Sequence, residues 1–158
     1  VHAGESYFAC TPQALEAAAE KERAVAVGAA ETLRKRVVVT VIGHRPERGW
    51  IMTDGGWMAT SRDRGTSRQP MDQGYGLVTA LDGTPYPDLL MRDASQEHGT
   101  LALRDGSTEP LPGLPVGARV RILPNHACAT TAQHDGYHVR ASTGSAVIEG
   151  YWPRIRGW

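Results

Sequence analysis

Two side chains suited to holding a metal stand two positions apart in Leu123-Pro124-Asn125-His126-Ala127-Cys128. His126 offers an imidazole nitrogen and Cys128 a thiolate sulfur, both zinc-type donors. The run before them, Ala118-Arg119-Val120-Arg121-Ile122-Leu123, alternates in polarity and reads as a β-strand. If that strand continues through the pair, residues i and i+2 share a face, and imidazole and thiol project side by side from a stiff backbone. Two protein donors do not close a structural zinc site. The pair would instead form an open site, its other positions going to water, substrate or residues elsewhere. The plainer reading of the same residues is a buried thiol beside a hydrogen-bonded histidine.

Other groups deserve the same two-sided reading. Gln96-Glu97-His98 precedes Gly99 at the start of a strand, as the wall of a site or as a solvated turn. Asp54 precedes Gly55-Gly56, where a pair of glycines signals positive φ or close approach of a backbone or ligand. Taken alone, Asp54 is an ordinary turn residue. His134 and His138 follow the metal-type pair and read as structural. The sequence contains no nucleophile elbow, no P-loop and no dinucleotide-binding glycine motif.

The elements that must position these groups are mostly short strands. Thr11-Pro12 resembles a helix N-cap followed by proline at the first helical position. Residues 13–35 are rich in helix formers, but their apolar stripe is narrow, which suits a solvated helix or connector. Val37 to Ile42 is continuous and β-branched, expected to be a buried strand, and Trp50 to Thr53 returns as its hairpin partner. Trp57-Met58-Ala59 is brief, and a charged loop from Ser61 runs on to Asp72. Tyr75 to Leu81, Thr100 to Leu103, Tyr137 to Ala141 and Ala146 to Tyr151 are further strand candidates. Pro85 to Leu90 reads as a turn-rich passage, and Pro110 to Gly117 as a rigid connection. The aromatic tail from Trp152 would cover a barrel end or meet another subunit. The expected fold is mainly β, a barrel or sandwich with one N-terminal helical segment over residues 12–35.

Composition narrows the function classes. The chain has 158 residues, enough for one domain with a proper core, and its net charge is zero. No basic field exists to hold nucleic acid or an anionic membrane, and no apolar run approaches a membrane span. The N-terminus lacks the features of a signal peptide. Two cysteines, Cys10 and Cys128, make no disulfide framework, so a reducing cytoplasm is the simpler expectation, although one bridge between them is allowed. There is no initiator methionine, which suggests a processed product, a fragment or one piece of a larger enzyme.

Together these pieces resemble a family. Gly4-Glu5-Ser6-Tyr7-Phe8, the valine-rich strand, Gly43-His44-Arg45-Pro46, Asp54-Gly55-Gly56-Trp57-Met58, Ser61-Arg62-Asp63-Arg64-Gly65, Gln96-Glu97-His98-Gly99 and Pro124-Asn125-His126-Ala127-Cys128 follow in the order seen in the C-terminal domain of the D-threonine aldolase and D-serine dehydratase family. These are fold-type III pyridoxal-phosphate enzymes, related to alanine racemase. The resemblance spans nearly the whole chain, residues 1–158, as a single C-terminal-type β domain. It implies a divalent metal, zinc by donor type, on His126 and Cys128, with Gln96, His98 and Asp54 near substrate. It implies Lewis-acid action on the 3-hydroxyl of a D-amino acid. Elimination of water is favoured by the thiol at the second metal position. Retro-aldol cleavage is the alternative, and a non-catalytic interaction module the reading from another class. The resemblance also implies an N-terminal barrel carrying the Schiff-base lysine and pyridoxal phosphate. This chain's Lys21 and Lys35 do not match that barrel's motif, so the isolated chain is expected to be inactive, and the full enzyme to be a homodimer.

Overall fold

The structure, a computed structural model, describes residues 35–142, 145 and 147–155. The helical segment expected over residues 12–35 lies outside them except for Lys35, which is irregular chain leading into the first strand. Tyr7 and Phe8 also lie outside. Six strands, β1 (Val37–Arg45), β2 (Trp50–Thr53), β3 (Gly76–Thr79), β4 (Pro85–Ala94), β5 (Gly99–Leu103) and β6 (Arg119–Pro124), close into a barrel in the order β1-β2-β5-β4-β3-β6. Every pairing is antiparallel, and β6 returns to β1 through Val37↔Ile122 and Val39↔Val120. Closure decides between barrel and sandwich: each strand has two neighbours, so no backbone edge of the sheet is left unpaired. A 3-10 turn (Pro46–Arg48), two short α-helices, α1 (Trp57–Thr60) and α2 (Ala127–Ala132), and a ribbon of β7 (Gly136–Val139) with β8 (Gly150–Pro153) complete the elements of the described chain.

The core is the barrel interior. Val39, Val41, Ile51, Val78, Leu89, Met91, Leu101, Val120 and Ile122 are all buried there. The valine run of β1 departs from expectation, because it is not buried on both faces. Val39 and Val41 are 2% and 1% exposed, whereas Val38 and Ile42 are 52% and 44% exposed. A single closed sheet has one interior, so side chains two apart share it and their neighbours point outward.

Pro85 to Leu90 is not a turn but the first half of the ten-residue β4. Its prolines are tolerated because Pro85 opens the strand and pairs with Thr79, while pairing with β5 begins only at Leu89. In the ribbon, β8 starts at Gly150, and Trp152 pairs with Tyr137, so the expected aromatic tail begins inside a strand.

Candidate metal centre

The strand does not continue through His126 and Cys128. β6 ends at Pro124, whose missing N–H cannot extend a ladder, and the Asn125 N–H makes a last cross-strand bond to the Tyr75 carbonyl at 3.0 Å. His126 is then the N-cap of α2, extended at φ −130° and ψ 99°, and Cys128 lies in the first helical turn. Imidazole and thiol therefore leave a helix start rather than one strand face. The helix has a weak sequence, Ala-Cys-Ala-Thr-Thr-Ala, and is held by side chains. Thr130 Oγ1 reaches the His126 carbonyl at 2.9 Å and also the Thr60 carbonyl of α1, and Thr131 Oγ1 donates to the Ala127 carbonyl at 2.6 Å. Nε2–H of His134, just past α2, donates to the Ala59 carbonyl at 2.9 Å, tying the two helices together again.

The His126 imidazole makes no cap bond. Its Nδ1 lies 2.6 Å from Asp63 Oδ2. An ionised carboxylate only accepts, so Nδ1 carries the proton and donates it, and in the neutral ring Nε2 presents its lone pair. The Cys128 side chain is exposed. Sequence reading missed Asp63 as a site residue. Its segment, Ser61 to Gly65, reads as a charged loop and as a piece of the resemblance, and a charged loop gives no hint of which histidine it will meet.

That loop is held firmly by a buried network. Thr66 Oγ1 donates to Asp72 Oδ1 at 2.9 Å and accepts from the Gln73 N–H at 2.9 Å and from Asn125 Nδ2 at 2.8 Å. Asn125 Nδ2 also donates to the Gly74 carbonyl at 2.7 Å, which sets the orientation of the amide. Arg104 donates to the Asp72 carbonyl at 2.5 Å and to Gln73 Oε1 at 2.7 Å, and Arg64 pairs with Asp72. Burial pushes the Asp72 carboxyl upward, but the Thr66 hydroxyl, the Gly74 N–H and Arg64 outweigh it and bring the pKa below the ordinary value. The metal-type histidine and the residue that feeds this network, Asn125, are sequence neighbours.

The other expected site residues have different surroundings. Asp54 Oδ1 accepts from the Thr40 N–H at 2.6 Å, fastening the end of β2 to β1. Gln96 has an exposed side chain, and its carbonyl accepts from the Met58 N–H at 3.1 Å, beside the Trp57 N–H bond to Ser95 at 2.9 Å. The start of α1 thus rests on the turn between β4 and β5. Gly56 must be glycine there, since a Cβ would lie 2.3 Å from the Ser95 carbonyl oxygen. Of the uses suggested for that glycine pair, close approach of a backbone is the one found. His98 lines a cavity of about 360 Å³ with Ile42, Gly43, His44, Arg45 and Met52, which neither His126 nor Cys128 lines. His138 packs against Tyr151 with ring centroids 5.4 Å apart.

The donor set fits a metal in an open site. It comprises one oriented imidazole and one exposed thiol within two residues. Among the described residues no three His, Cys, Asp or Glu side chains group to hold a metal by themselves. The described residues do not fit pyridoxal phosphate. Lys35 Nζ donates to Thr131 Oγ1 at 2.6 Å and sits 5.0 Å from the Tyr137 ring centroid, so it is a charged clamp on α2 rather than a poised amine. Lys21 lies outside the described residues.

Fold and site define a closed β-barrel domain that presents one histidine and one cysteine just beyond a strand end. Residues 35–140 match the family described as "Putative serine dehydratase domain", and the chain belongs to that family. It is 39% identical to D-threo-3-hydroxyaspartate dehydratase of Delftia sp. (strain HT23), covering 99% of this chain and 55% of that protein. It is 28% identical to D-serine dehydratase of Saccharomyces cerevisiae, covering 77% of this chain and 28% of that one. The chain thus spans about half the length of the first relative and under a third of the second. Solved structures of D-threo-3-hydroxyaspartate dehydratase include a histidine-to-alanine variant and a cysteine-to-alanine variant in the metal-free form, the substituted positions lying two apart in that chain. The present structure overlays on the cysteine variant with a TM-score of 0.68 at 48% identity, covering 78% of this chain and 32% of that one. It overlays on D-threonine aldolase from Filomicrobium marinum with a TM-score of 0.51 at 26% identity, covering 75% of this chain and 27% of that one.

Proposed function

We propose that this chain is the metal-holding β-barrel portion of a lyase that removes water from a D-3-hydroxy amino acid. The observation that carries the reading is the oriented His126 beside the exposed Cys128. It is supported by the same His-x-Cys spacing at the substituted positions of the D-threo-3-hydroxyaspartate dehydratase variants. His126 would bind through Nε2 and Cys128 through its thiolate, a nitrogen and sulfur pair suited to zinc. A divalent metal supplies Lewis-acid polarisation of the substrate 3-hydroxyl. Two donors from this chain leave positions at which that hydroxyl can bind. Loss of the α-proton and the 3-hydroxyl releases water, and hydrolysis of the product releases ammonia and a 2-oxo acid.

Pyridoxal phosphate and its Schiff-base lysine belong, on this reading, to a barrel domain outside this chain, in a homodimeric cytoplasmic enzyme. Among the described residues no helix is long and apolar enough to cross a membrane. The expected substrate contacts Gln96, His98 and Asp54 are all exposed, and Asp54 Oδ1 is taken by the Thr40 N–H. Retro-aldol cleavage is the second reading, favoured by the overlay on the D-threonine aldolase. The thiol at Cys128 argues for dehydration, because the resemblance associates aspartate there with aldolases.

Native mass spectrometry with elemental analysis tests the metal assignment. One zinc ion per wild-type chain and none in Cys128→Ala is the expected result. A zinc-free wild type would remove the metal from the proposal, and a variant that keeps its ion would remove Cys128 as its ligand. Ammonia release by the assembled enzyme from D-threo-3-hydroxyaspartate and D-serine then separates dehydration from cleavage to glycine and an aldehyde.

A further inference from the structure

We infer that Asp63 is a positioning residue that selects Nε2 of His126 as the metal-facing nitrogen; this rests on the metal reading above. Histidine can bind a metal through either ring nitrogen, and the partner of the other nitrogen decides which. Here Asp63 Oδ2 lies 2.6 Å from Nδ1, so that nitrogen holds the proton and is closed to a metal. Carboxylate–histidine pairs of this kind fix the ring plane and raise the basicity of the ligating nitrogen.

The two side chains are 37% and 55% exposed, yet the backbone that presents each of them is held in place. Ser61 is only 4% exposed and adopts φ 95° and ψ 161°, a conformation that side-chain-bearing residues avoid. That turn redirects the backbone as it leaves α1, and the Asp63 N–H donates to Ser61 Oγ at 3.2 Å. Downstream, Thr66, Asp72 and Asn125 lock the same loop to the residue preceding His126. Both partners of the pair are thus held from their own sides. The alternative role for Asp63, direct ligation, would require its carboxylate to leave Nδ1.

The test uses the 158-residue chain with Asp63→Ala and Asp63→Asn. Long-range ¹⁵N–¹H NMR of the zinc-free protein at about pH 8.5, where an ordinary imidazole is neutral, reads the tautomer directly. Wild type is expected to show His126 protonated on Nδ1, and Asp63→Ala to shift to the Nε2–H form that free histidine prefers. Chelator competition should find zinc binding about 10–100-fold weaker in Asp63→Ala, with the thermal melt of the zinc-free protein unchanged. Asp63→Asn keeps an acceptor oxygen and should restore the tautomer and part of the affinity. If the alanine variant fails to fold, Asp63→Leu, which also lacks the carboxylate, is read in its place.

In the variant without the carboxylate, an unchanged tautomer, or zinc affinity within about threefold of wild type, overturns the inference, since that factor lies below the effect of losing such a partner. Weak zinc binding with Nδ1–H retained in that variant makes Asp63 a ligand and overturns it as well. A wild type with no zinc affinity at all overturns the metal reading and this inference together, which separates the two failures.

Discussion

Thr66→Val tests whether the loop that presents Asp63 is held by hydrogen bonds or by packing. Valine keeps the shape of threonine and replaces the hydroxyl with a methyl. Thr66 is 1% exposed, and its Oγ1 serves Asp72, the Gln73 N–H and Asn125 together. After substitution the Gln73 N–H loses this partner inside a residue only 2% exposed, at about 1–3 kcal/mol for a buried unpaired donor. Asn125 Nδ2 keeps its bond to Gly74 and Asp72 Oδ1 keeps the Gly74 N–H, so each of those losses is about 0.5–1 kcal/mol. The total is about 3 kcal/mol, and with a urea slope of about 2 kcal/mol/M the midpoint should fall by about 1.5 M. Urea denaturation followed by fluorescence measures this directly. Thr66→Ser, which keeps the hydroxyl and loses the methyl, should cost about 1 kcal/mol or less. If serine destabilises more than valine does, methyl packing rather than the hydroxyl network holds the loop, and the reasoning fails.

Gly76→Ala should be strongly destabilising, because its Cβ would stand 2.3 Å from the Leu123 carbonyl oxygen in the β3–β6 ladder; a thermal melt close to wild type would show that the ladder can yield. The depressed Asp72 pKa gives a pH signature. Its stabilisation is fully present above the ordinary value of 3.8 and is lost as pH falls through the lower folded value. The stability gap between wild type and Asp72→Asn should therefore be constant from neutral pH down to about pH 5 and close at more acid pH, as chemical denaturation at stepped pH would show. A gap independent of pH would mean that the charge on Asp72 contributes nothing.

Much of the barrel was legible in the chain. Trp50 to Thr53 and Thr100 to Leu103 read as strands in the sequence, and they are β2 and most of β5. The His-x-Cys pair was legible as chemistry, since donor types are properties of residues. Its local geometry was not. An alternating run predicts a strand but not its stop, and here the strand ends at a proline and the next residues form a helix that Thr130 fastens to α1. Pro85 to Leu90 misled in the opposite direction, because composition reports turn preference and cannot show that a strand's opening residues pair on one side only.

The sequence by itself determined most of the strand-forming segments, a glycine pair that marks a close approach, and the identity of the metal-type donors. These follow from local sterics, side-chain shape and ligand chemistry, all written residue by residue. Only the tertiary structure decided that Asp63 faces His126 across 63 positions of chain, that Thr66 serves three partners, and that β1 hides only alternate valines. Each of those depends on closure of the barrel, which brings distant segments together in a register that no local pattern encodes.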